Sequence, residues 1–298
     1  MPTARARLHI IFNPTAGARR RHRLEVVRRA LVARGVAVTI AETDRRGHAE
    51  ALAREAVRDG ERLVVAAGGD GTIAEVANGL AGSGAALGVI PLGTANVIAH
   101  EWGLPFGPEA IAEALVAGRT RPLHPLLARF ADGSGRLALQ MVGVGLDSAV
   151  VAALDARLKR RLGKAAYVLE TVRQIFAWPF PRLDLRLDGQ AMEVAQVIAT
   201  KGRFYGGRLL LAPHARADAP GFVACLFPGR GRLAAIRAGL ALPLNLLPRL
   251  GGVAFRHAHR LEIAAPAGLP VQADGDLIGL TPVSVADAET TIPLVVPG

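Results

Sequence analysis

The sequence predicts an α/β N-terminal domain, built as a parallel sheet with helices on both faces, followed by a β-rich C-terminal domain. Two observations support this division. Short apolar runs alternate with stretches of helical length over residues 1–118, as in a chain of βα units. From Pro122 onward, short apolar runs follow one another and are separated by Gly, Pro and Asp turns. At 298 residues, the chain is long enough for two domains that each bury a core.

The first domain is predicted to span residues 1–122. A strand at 8–12 precedes an amphipathic helix at 19–34, in which apolar side chains recur among arginines. A second strand and helix follow at 36–40 and 48–58. Two more strand–turn–helix units and a final helix are predicted, with strands at 64–67 and 87–90 and helices at 73–80, 97–102 and 108–117.

The second domain is predicted to span residues 123–298. A turn at 132–135 between two apolar runs predicts a β-hairpin. Helical stretches follow Gly145 and lie at 157–178. Further strands are predicted at 183–187, 193–199, 209–211, 222–227, 261–265, 271–273, 282–285 and 292–296. Whether the last strands return to pair with the first domain is left open.

Composition restricts the classes of function. Apolar residues make up 51% of the chain, but no charge-poor run reaches the ~20 residues of a membrane span. The single cysteine, Cys225, rules out an internal disulfide framework and fits a reducing compartment. The net charge of +11 favours an anionic partner, although a solubility surface explains it equally well. The low aromatic content, 4%, argues against base stacking, and we expect no nucleic-acid partner.

Two glycine turns are the main signal for function. The first, at 68–72, reads Gly-Gly-Asp-Gly-Thr, and the second, at 91–96, reads Pro-Leu-Gly-Thr-Ala-Asn. Each follows an apolar run and precedes a helical stretch. Glycines let backbone N–H groups approach a phosphate, and the following helix adds its positive end. In an open α/β sheet, ligands bind at the carboxyl ends of the strands. The alternative is a pair of plain tight turns.

Together, the two turns resemble the catalytic domain of diacylglycerol kinases, a family shared with sphingosine kinases and bacterial lipid kinases. Residues 13–17 look like the family's first nucleotide loop, Thr43 with 47–49 like its second, and 274–276 like its late Asp-Gly-Glu. The resemblance covers nearly the whole chain. It implies an ATP-dependent lipid kinase that uses Mg²⁺, with its active site in a cleft between the domains.

The resemblance also implies the residues of the site. Asp70, whose carboxylate would lie beside the phosphates, is the candidate Mg²⁺ ligand and a candidate catalytic residue. The implied nucleotide-binding residues are Asn13, Pro14, Gly17, Thr43, Gly68, Gly69, Asp70, Gly71, Thr72, Glu75, Thr94 and Asn96.

Asp274 and Asp276, which flank Gly275, are the other candidate catalytic residues. Two carboxylates so close in sequence repel each other when both ionise, which raises one pKa toward a value useful for a general base. The resemblance implies the same pair, one near the metal and one taking the proton of the lipid hydroxyl. The alternative is an Asp-Gly hairpin turn, which is a common structural use of Asp.

Three positions depart from the family's pattern. Val97 stands where the family commonly has Asp, so a carboxylate that helps to hold Mg²⁺ is missing. Asp276 replaces Glu and shortens the reach of a base by ~1 Å. The loop at 212–221 resembles one that holds a structural Mg²⁺ through an Asp. Here Asp218 is followed by Ala and Pro, and the sequence leaves open whether the ion is bound.

The lipid-binding region is predicted in the leucine-rich stretch at 233–250, with Arg237 and Arg249 near its ends. This stretch suits an interfacial helix or the rim of an acyl-chain pocket, and an ordinary buried helix and loop is the alternative. Pro243 and Pro248 exclude one long helix.

We therefore expect a cytoplasmic enzyme of lipid metabolism, acting in phospholipid biosynthesis, that meets its lipid substrate at the membrane surface through peripheral contact. A homodimer is left open. One alternative is an NAD-kinase-like enzyme with a soluble substrate, which the turn at 91–96 does not resemble. Another is a nucleotide- or lipid-binding protein with little turnover. The chain lacks the Gly-Lys-Ser/Thr of a P-loop, which disfavours a P-loop NTPase.

Overall fold

The structure is a computed structural model, and it describes residues 7–16, 18–155 and 163–298. The chain divides into two compact units. The first comprises Met1–Leu123 together with Thr290–Gly298, and the second comprises His124–Glu289. The predicted second domain, residues 123–298, included the C-terminal segment, with its return to the first domain left open. This segment belongs to the first unit because its strand pairs within the first sheet.

The first unit contains one six-stranded sheet in the order β2-β1-β3-β4-β20-β5. Strands β1 to β4 and β20 run parallel, and β5 pairs antiparallel with β20. Strands β3 and β4 are buried almost throughout, as expected for a parallel sheet with both faces covered. The strands are β1 (Arg7–Phe12), β2 (Ala37–Glu42), β3 (Leu63–Gly68), β4 (Ala86–Pro91), β5 (Thr120–Leu123) and β20 (Ile292–Val295).

Within the described residues, five α-helices connect these strands: α1 (Ala18–Ala33), α2 (His48–Arg58), α3 (Asp70–Leu80), α4 (Val97–Glu101) and α5 (Pro108–Ala117). Helices α1 and α5 share a core with alternate residues of β1 and β3, such as Ile10 and Val65. Helices α2 and α3 pack against each other. Gly79 of α3 permits their close approach, since a Cβ there would lie 2.5 Å from a carbonyl oxygen of α2. The predicted helix-covered parallel sheet is confirmed.

The second unit contains two six-stranded antiparallel sheets, in the orders β10-β9-β16-β19-β6-β7 and β15-β14-β11-β8-β17-β18. Both sheets contribute to one apolar core. The alternation in β9, where Leu183, Leu185 and Leu187 are buried, is typical of strands with one face in such a core. The strands are β6 (Leu126–Phe130), β7 (Gly135–Ala138), β8 (Met141–Val144), β9 (Leu183–Leu187), β10 (Gln190–Val194), β11 (Gln196–Thr200), β12 (Phe204–Tyr205), β13 (Leu209–Leu210), β14 (Phe222–Phe227), β15 (Ala254–Ala258), β16 (Arg260–Ala265), β17 (Pro270–Ala273), β18 (Asp276–Leu280) and β19 (Val283–Asp287).

Three described helices accompany these sheets: α6 (Leu146–Ala153), α7 (Lys164–Ala177) and α8 (Arg232–Ala241). The predicted β-rich second domain and its hairpin of β6 and β7 are confirmed. The predicted helix at 157–178 is described from residue 164 onward. The predicted strand at 193–199 is two strands, β10 and β11. In the parts of the chain that the structure covers, no helix is long and apolar enough to cross a membrane.

Candidate active site

The first glycine turn lies where β3 ends and α3 begins. Gly69 is extended and precedes Asp70, the first residue of the helix. Gly68 cannot be replaced without a shift, because a Cβ there would lie 2.5 Å from the Thr72 hydroxyl oxygen. The backbone at the end of β3 therefore lies in close contact with the first turn of α3. The first amide N–H groups of α3 have no acceptor within the helix, which makes this a place where an anion binds favourably.

The second glycine turn touches the first. The Leu92 N–H donates to the Gly68 carbonyl over 2.8 Å. A Cβ on Gly93 would lie 2.6 Å from the Cα of Gly69, so the two backbones meet at a distance that only glycine allows. The structure thus brings together the two motifs that sequence analysis predicted at one edge of the sheet.

Asp70 connects the first turn to the start of α4. Its Oδ1 accepts the Ile98 N–H over 3.1 Å. Burial raises the pKa of Asp70, while hydrogen bonds from the backbone N–H groups of residues 96–98 and of Asp70 itself lower it. Val97, where the family commonly has Asp, is buried and apolar. With valine at position 97, the carboxylate available to a cation at this junction is that of Asp70. One of its oxygens, Oδ1, already accepts a backbone N–H.

Asn96 carries an open acceptor at the second turn. It adopts a left-handed conformation, with φ 48°, and its Nδ2 donates to the Gly93 carbonyl over 2.9 Å. Its Oδ1 is buried and has no hydrogen-bond partner among the described residues. A buried acceptor without a donor is costly, and a ligand that supplies an N–H or O–H would remove that cost. Thr94, on the same turn, is exposed.

The first predicted nucleotide loop lies against the first glycine turn. The Asn13 Nδ2 donates to the Thr72 hydroxyl over 3.1 Å, and the Asn13 N–H donates to the Ala67 carbonyl over 3.1 Å. The Asn13 Oδ1 in turn accepts from the Thr15 N–H and hydroxyl. Pro14 begins a short 3-10 turn. Gly17 lies outside the described residues.

Thr43 and Glu75, two further predicted nucleotide-binding residues, each make a contact within the first unit. Thr43 is buried, and its N–H donates to the Phe12 carbonyl over 2.9 Å, so it lies beside the end of β1. Glu75 of α3 accepts the N–H groups of Gly47 and Ala49, over 2.9 and 3.2 Å. The Glu75 carboxylate therefore caps the start of α2. This contact is structural, because a negative charge is stabilised at a helix N-terminus.

Asp274 and Gly275 form the two-residue turn of a hairpin between β17 and β18. Their φ values of 51° and 85° are typical of a type I′ turn. The Asp274 carboxylate accepts three backbone N–H groups, from residues 139, 140 and 141, over 2.7, 2.9 and 2.9 Å. The hairpin alternative considered from the sequence is thus present. The Asp274 side chain anchors the turn to residues 139–141, which lead into β8.

Behind this turn lies a buried chain of hydrogen bonds that sequence analysis missed. The Gly275 N–H donates to Gln272 Oε1 over 2.9 Å, and Gln272 Nε2 donates to Asp147 Oδ2 over 2.7 Å. The Tyr205 hydroxyl donates to the other oxygen of Asp147. Burial raises the pKa of Asp147, and both hydrogen bonds lower it. A polar Gln within the apolar run of β17 was the one available signal. Asp276 follows the turn as the first residue of β18.

Comparisons with known proteins agree with this architecture. Residues 7–128 match the family described as diacylglycerol kinase catalytic domain, and residues 140–297 match the YegS C-terminal NAD kinase beta sandwich-like domain. A "Probable lipid kinase YegS-like" from Xanthomonas campestris pv. campestris is 31% identical over 82% of this chain and 81% of its own. The chain therefore belongs to the family of YegS-like lipid kinases and diacylglycerol kinases.

Further relatives support that assignment over different lengths. A protein of the same name from Pseudomonas aeruginosa is 36% identical over 206 residues, and the match spans 65% of each chain. The "Diacylglycerol kinase" of Bacillus subtilis is 27% identical over 98% of this chain and 96% of its own. The crystal structure of a "putative diacylglycerol kinase" from Bacillus anthracis has a TM-score of 0.80 at 23% identity, over 98% of this chain and 95% of that one, which shows a shared fold.

Proposed function

We propose that the protein is an ATP-dependent lipid kinase that transfers the γ-phosphate to the hydroxyl of a diacylglycerol-like lipid. The observation that carries this proposal is the contact between the two glycine turns. It gathers the start of α3, the Asp70 carboxylate and the open Asn96 acceptor at one edge of the first sheet. The names of the relatives support the class of acceptor.

The nucleotide is held by the first unit in this proposal. The amide N–H groups at the start of α3 receive phosphate oxygens, and the Asn13–Thr72 hydrogen bond keeps the flanking loop in place. Asn96 Oδ1 accepts a hydrogen bond from the nucleotide, and Thr94 offers an exposed hydroxyl beside it. Phosphoryl transfer needs little beyond such positioning and charge neutralisation.

Mg²⁺ fits this site as part of a metal–nucleotide complex. Among residues 7–16, 18–155 and 163–298, no group of three or more His, Cys, Asp and Glu side chains could hold a metal alone. Mg²⁺ is commonly bound through one or two carboxylates, with phosphate oxygens and waters completing the shell. Asp70 would supply the carboxylate here, and the ion would neutralise charge on the phosphates.

We assign the general base to Asp276, because Asp274 is committed to three backbone amides. The lipid hydroxyl oxygen attacks the γ-phosphorus while its proton passes to the Asp276 carboxylate. The bond from the γ-phosphorus to the bridging oxygen breaks, and ADP leaves with the electron pair. Asp274 is a positioning residue, which fixes the turn from which Asp276 follows.

The second unit carries an exposed apolar surface that suits a lipid acceptor. In α7, Val168 is 65% exposed, and Leu169, Val172 and Phe176 line the same face at helical spacing. In α8, Leu233 and Leu240 are 73% and 65% exposed, with Ile236 between them. The Arg232 guanidinium lies over the Phe176 ring, which connects the two helices. We call these seven side chains, Val168, Leu169, Val172, Phe176, Leu233, Ile236 and Leu240, the apolar face.

The charges around the apolar face favour an anionic membrane. Residues 228–250 contain four arginines, at 230, 232, 237 and 249, and no acidic residue. An arginine near an anionic surface contributes ~1 kcal/mol to binding, and leucines that insert add the energy of apolar burial. The buried alternative for this stretch does not apply to α8, in which Ala241 alone is buried. Peripheral membrane contact through the apolar face therefore belongs to the proposal.

The test measures transfer of radiolabelled γ-phosphate from ATP and Mg²⁺ to lipids in mixed micelles. The panel contains diacylglycerol, monoacylglycerol, phosphatidylglycerol, ceramide and sphingosine, and NAD serves as a soluble acceptor. Asp276→Asn is expected to abolish the labelled lipid while ATP still binds. Asp184→Asn, an exposed carboxylate of β9, is the matched control and should retain full activity.

Each result decides between the candidates. Labelled lipid supports the proposal and names the head group. Label on NAD favours a soluble-substrate kinase, which the NAD kinase-like family of the second unit makes the second candidate. Bound ATP without any labelled product favours a binding protein with little turnover.

A vesicle assay isolates the membrane contact. The double variant Leu233→Gln/Leu240→Gln should lower binding to phosphatidylglycerol vesicles at least tenfold, yet still phosphorylate a short-chain diacylglycerol in solution. Val116→Gln, a half-exposed position in the first unit, is the control. Unchanged vesicle binding in the double variant would remove the apolar face from the proposal and leave the kinase assignment standing.

A further inference from the structure

A fully buried lysine lies at the end of β11. The Lys201 side chain is 0% exposed, and its Nζ has three oxygen neighbours within hydrogen-bond distance. These are the carbonyls of Ala219 and Gly221, at 2.7 and 2.5 Å, and Asp287 Oδ1, at 2.8 Å. An ammonium group has three N–H donors, so each of its protons has an acceptor.

Backbone contacts fix both the lysine and the oxygens around it. The Lys201 N–H donates to the Gln140 carbonyl over 2.8 Å, and a Cβ on the next residue, Gly202, would overlap the Gln140 side chain. Gly221 has φ 79°, and its N–H donates to the second oxygen of Asp287. We call the oxygens of Ala219, Gly221 and Asp287 the cation cage. Two carbonyls and one carboxylate are the ligand types of a hard metal ion.

The cation cage lies in the loop where the resemblance described above implies a structural Mg²⁺ held through an Asp. The residues present do not fit that ion. Asp218, the acidic residue of the loop, has its Oδ1 on the Arg216 Nε at 3.2 Å. Mg²⁺ requires about six oxygens at ~2.1 Å, and the three oxygens of the cage are already taken by the ammonium. A divalent ion beside a buried ammonium would also meet direct charge repulsion.

We infer that the Lys201 ammonium is a built-in cation that replaces a structural divalent metal, so that this loop closes without any bound ion. Composition supports the choice of side chain. Lysine is used at three of the 36 Lys and Arg positions, 159, 164 and 201, and arginine at all others. A compact ammonium fits a three-oxygen cage as a point charge, whereas a planar guanidinium does not. Burial lowers the pKa of Lys201, and the hydrogen bond and charge of Asp287 oppose that shift.

Thermal unfolding with and without chelator tests the inference and does not depend on the proposed function. Wild type, passed through EDTA and gel filtration, should hold less than 0.1 equivalent of divalent metal by elemental analysis and should melt within ~1 °C of protein supplied with Mg²⁺ or Ca²⁺. Lys201→Met should lower the melting temperature by about 10 °C, since breaking a buried, hydrogen-bonded ion pair is strongly destabilising. Arg216→Met, an exposed cation of the same loop, should change it by less than ~2 °C.

Chemical rescue covers the case in which Lys201→Met does not fold. Lys201→Ala lacks the atoms of a propylammonium ion, and added propylammonium should raise its melting temperature by several degrees. Tetramethylammonium at equal ionic strength should not, because it has no N–H to donate. A stoichiometric divalent ion in wild type, a chelator-sensitive melting temperature, or a Lys201→Met variant that melts like wild type would each overturn the inference.

Discussion

Substitutions in the 274–276 turn can separate a structural role, which we assign to Asp274, from a chemical role, which we assign to Asp276. Asp274→Ala removes a carboxylate that accepts three backbone N–H groups and leaves those amides without that partner. A hydrogen bond to a charged group contributes ~1.5–3 kcal/mol, but the three share one half-buried acceptor and water can reach part of the site. We therefore expect the second unit to lose about 3 kcal/mol in free energy of unfolding.

Asp276→Ala should behave in the opposite way. Asp276 begins β18, and we expect its loss to act chiefly on the rate, because it removes the proposed general base. Loss of a general base typically lowers the rate by ~10²–10⁴-fold. Asp274→Asn should fall between the two, because Asn tolerates the positive φ at this position but offers one acceptor oxygen instead of two.

Urea unfolding can be read from the second unit alone. The chain contains two tryptophans, so a Trp102→Phe background leaves Trp178, which directly follows α7, as the single tryptophan. Transfer activity is measured on the same samples. An Asp274→Ala variant that kept its unfolding midpoint and lost all transfer would refute the anchoring argument and return Asp274 to the role of base.

Three further predictions concern single contacts. Gly93→Ala should weaken ATP binding at least tenfold in calorimetry, because its Cβ would force the two glycine turns apart, whereas Gly107→Ala, which meets nothing within 4 Å, should not. Glu75→Gln should cost ~1 kcal/mol of stability and leave ATP affinity within twofold, since the carboxylate caps α2; a large loss of affinity with unchanged stability would contradict this and support the predicted nucleotide contact of Glu75. Burial, followed by the charge of Asp147, raises the pKa of Tyr205 well above 10, so the folded chain keeps a proton that the unfolded chain releases. Above pH ~10, the free energy of unfolding of wild type should therefore fall with each pH unit by ~1.4 kcal/mol more than that of Tyr205→Phe. Equal pH slopes of the free energy of unfolding, measured by urea titration, would contradict this.

Local sequence was sufficient to predict the features that depend on local geometry. The glycine turns could be predicted because Gly68 and Gly93 are required by contacts within a few residues or between neighbouring strand ends. Strands β3 and β4 have continuous runs of apolar and small residues, which indicate burial on both faces. The hairpin of β6 and β7 is likewise encoded by its own turn.

Contacts between distant segments could not be predicted in this way. Strand β20 joins the first sheet across more than 160 residues of intervening chain, and nothing in its four residues specifies β4 as a partner. The amides that hold Asp274 lie 133 to 135 residues away in sequence. Strand β15 was missed because its sequence, Ala-Phe-Arg-His-Ala, has two central polar residues and a largely exposed pattern. Pairing with β14, and not its own composition, makes it a strand.

Two of the three departures from the family's pattern, at position 97 and in the loop at 212–221, have one physical consequence in common. At position 97 the chain has a buried valine, and part of the Asp70 carboxylate is bound to the Ile98 amide, so the glycine turns offer little of their own to a free cation. In the loop at 212–221, the acidic side chain pairs with Arg216 and a lysine supplies the positive charge. If both proposals hold, the protein keeps no permanently bound metal at the glycine turns or in the loop at 212–221. Mg²⁺ then arrives with the phosphates that need it, and its binding should follow the nucleotide.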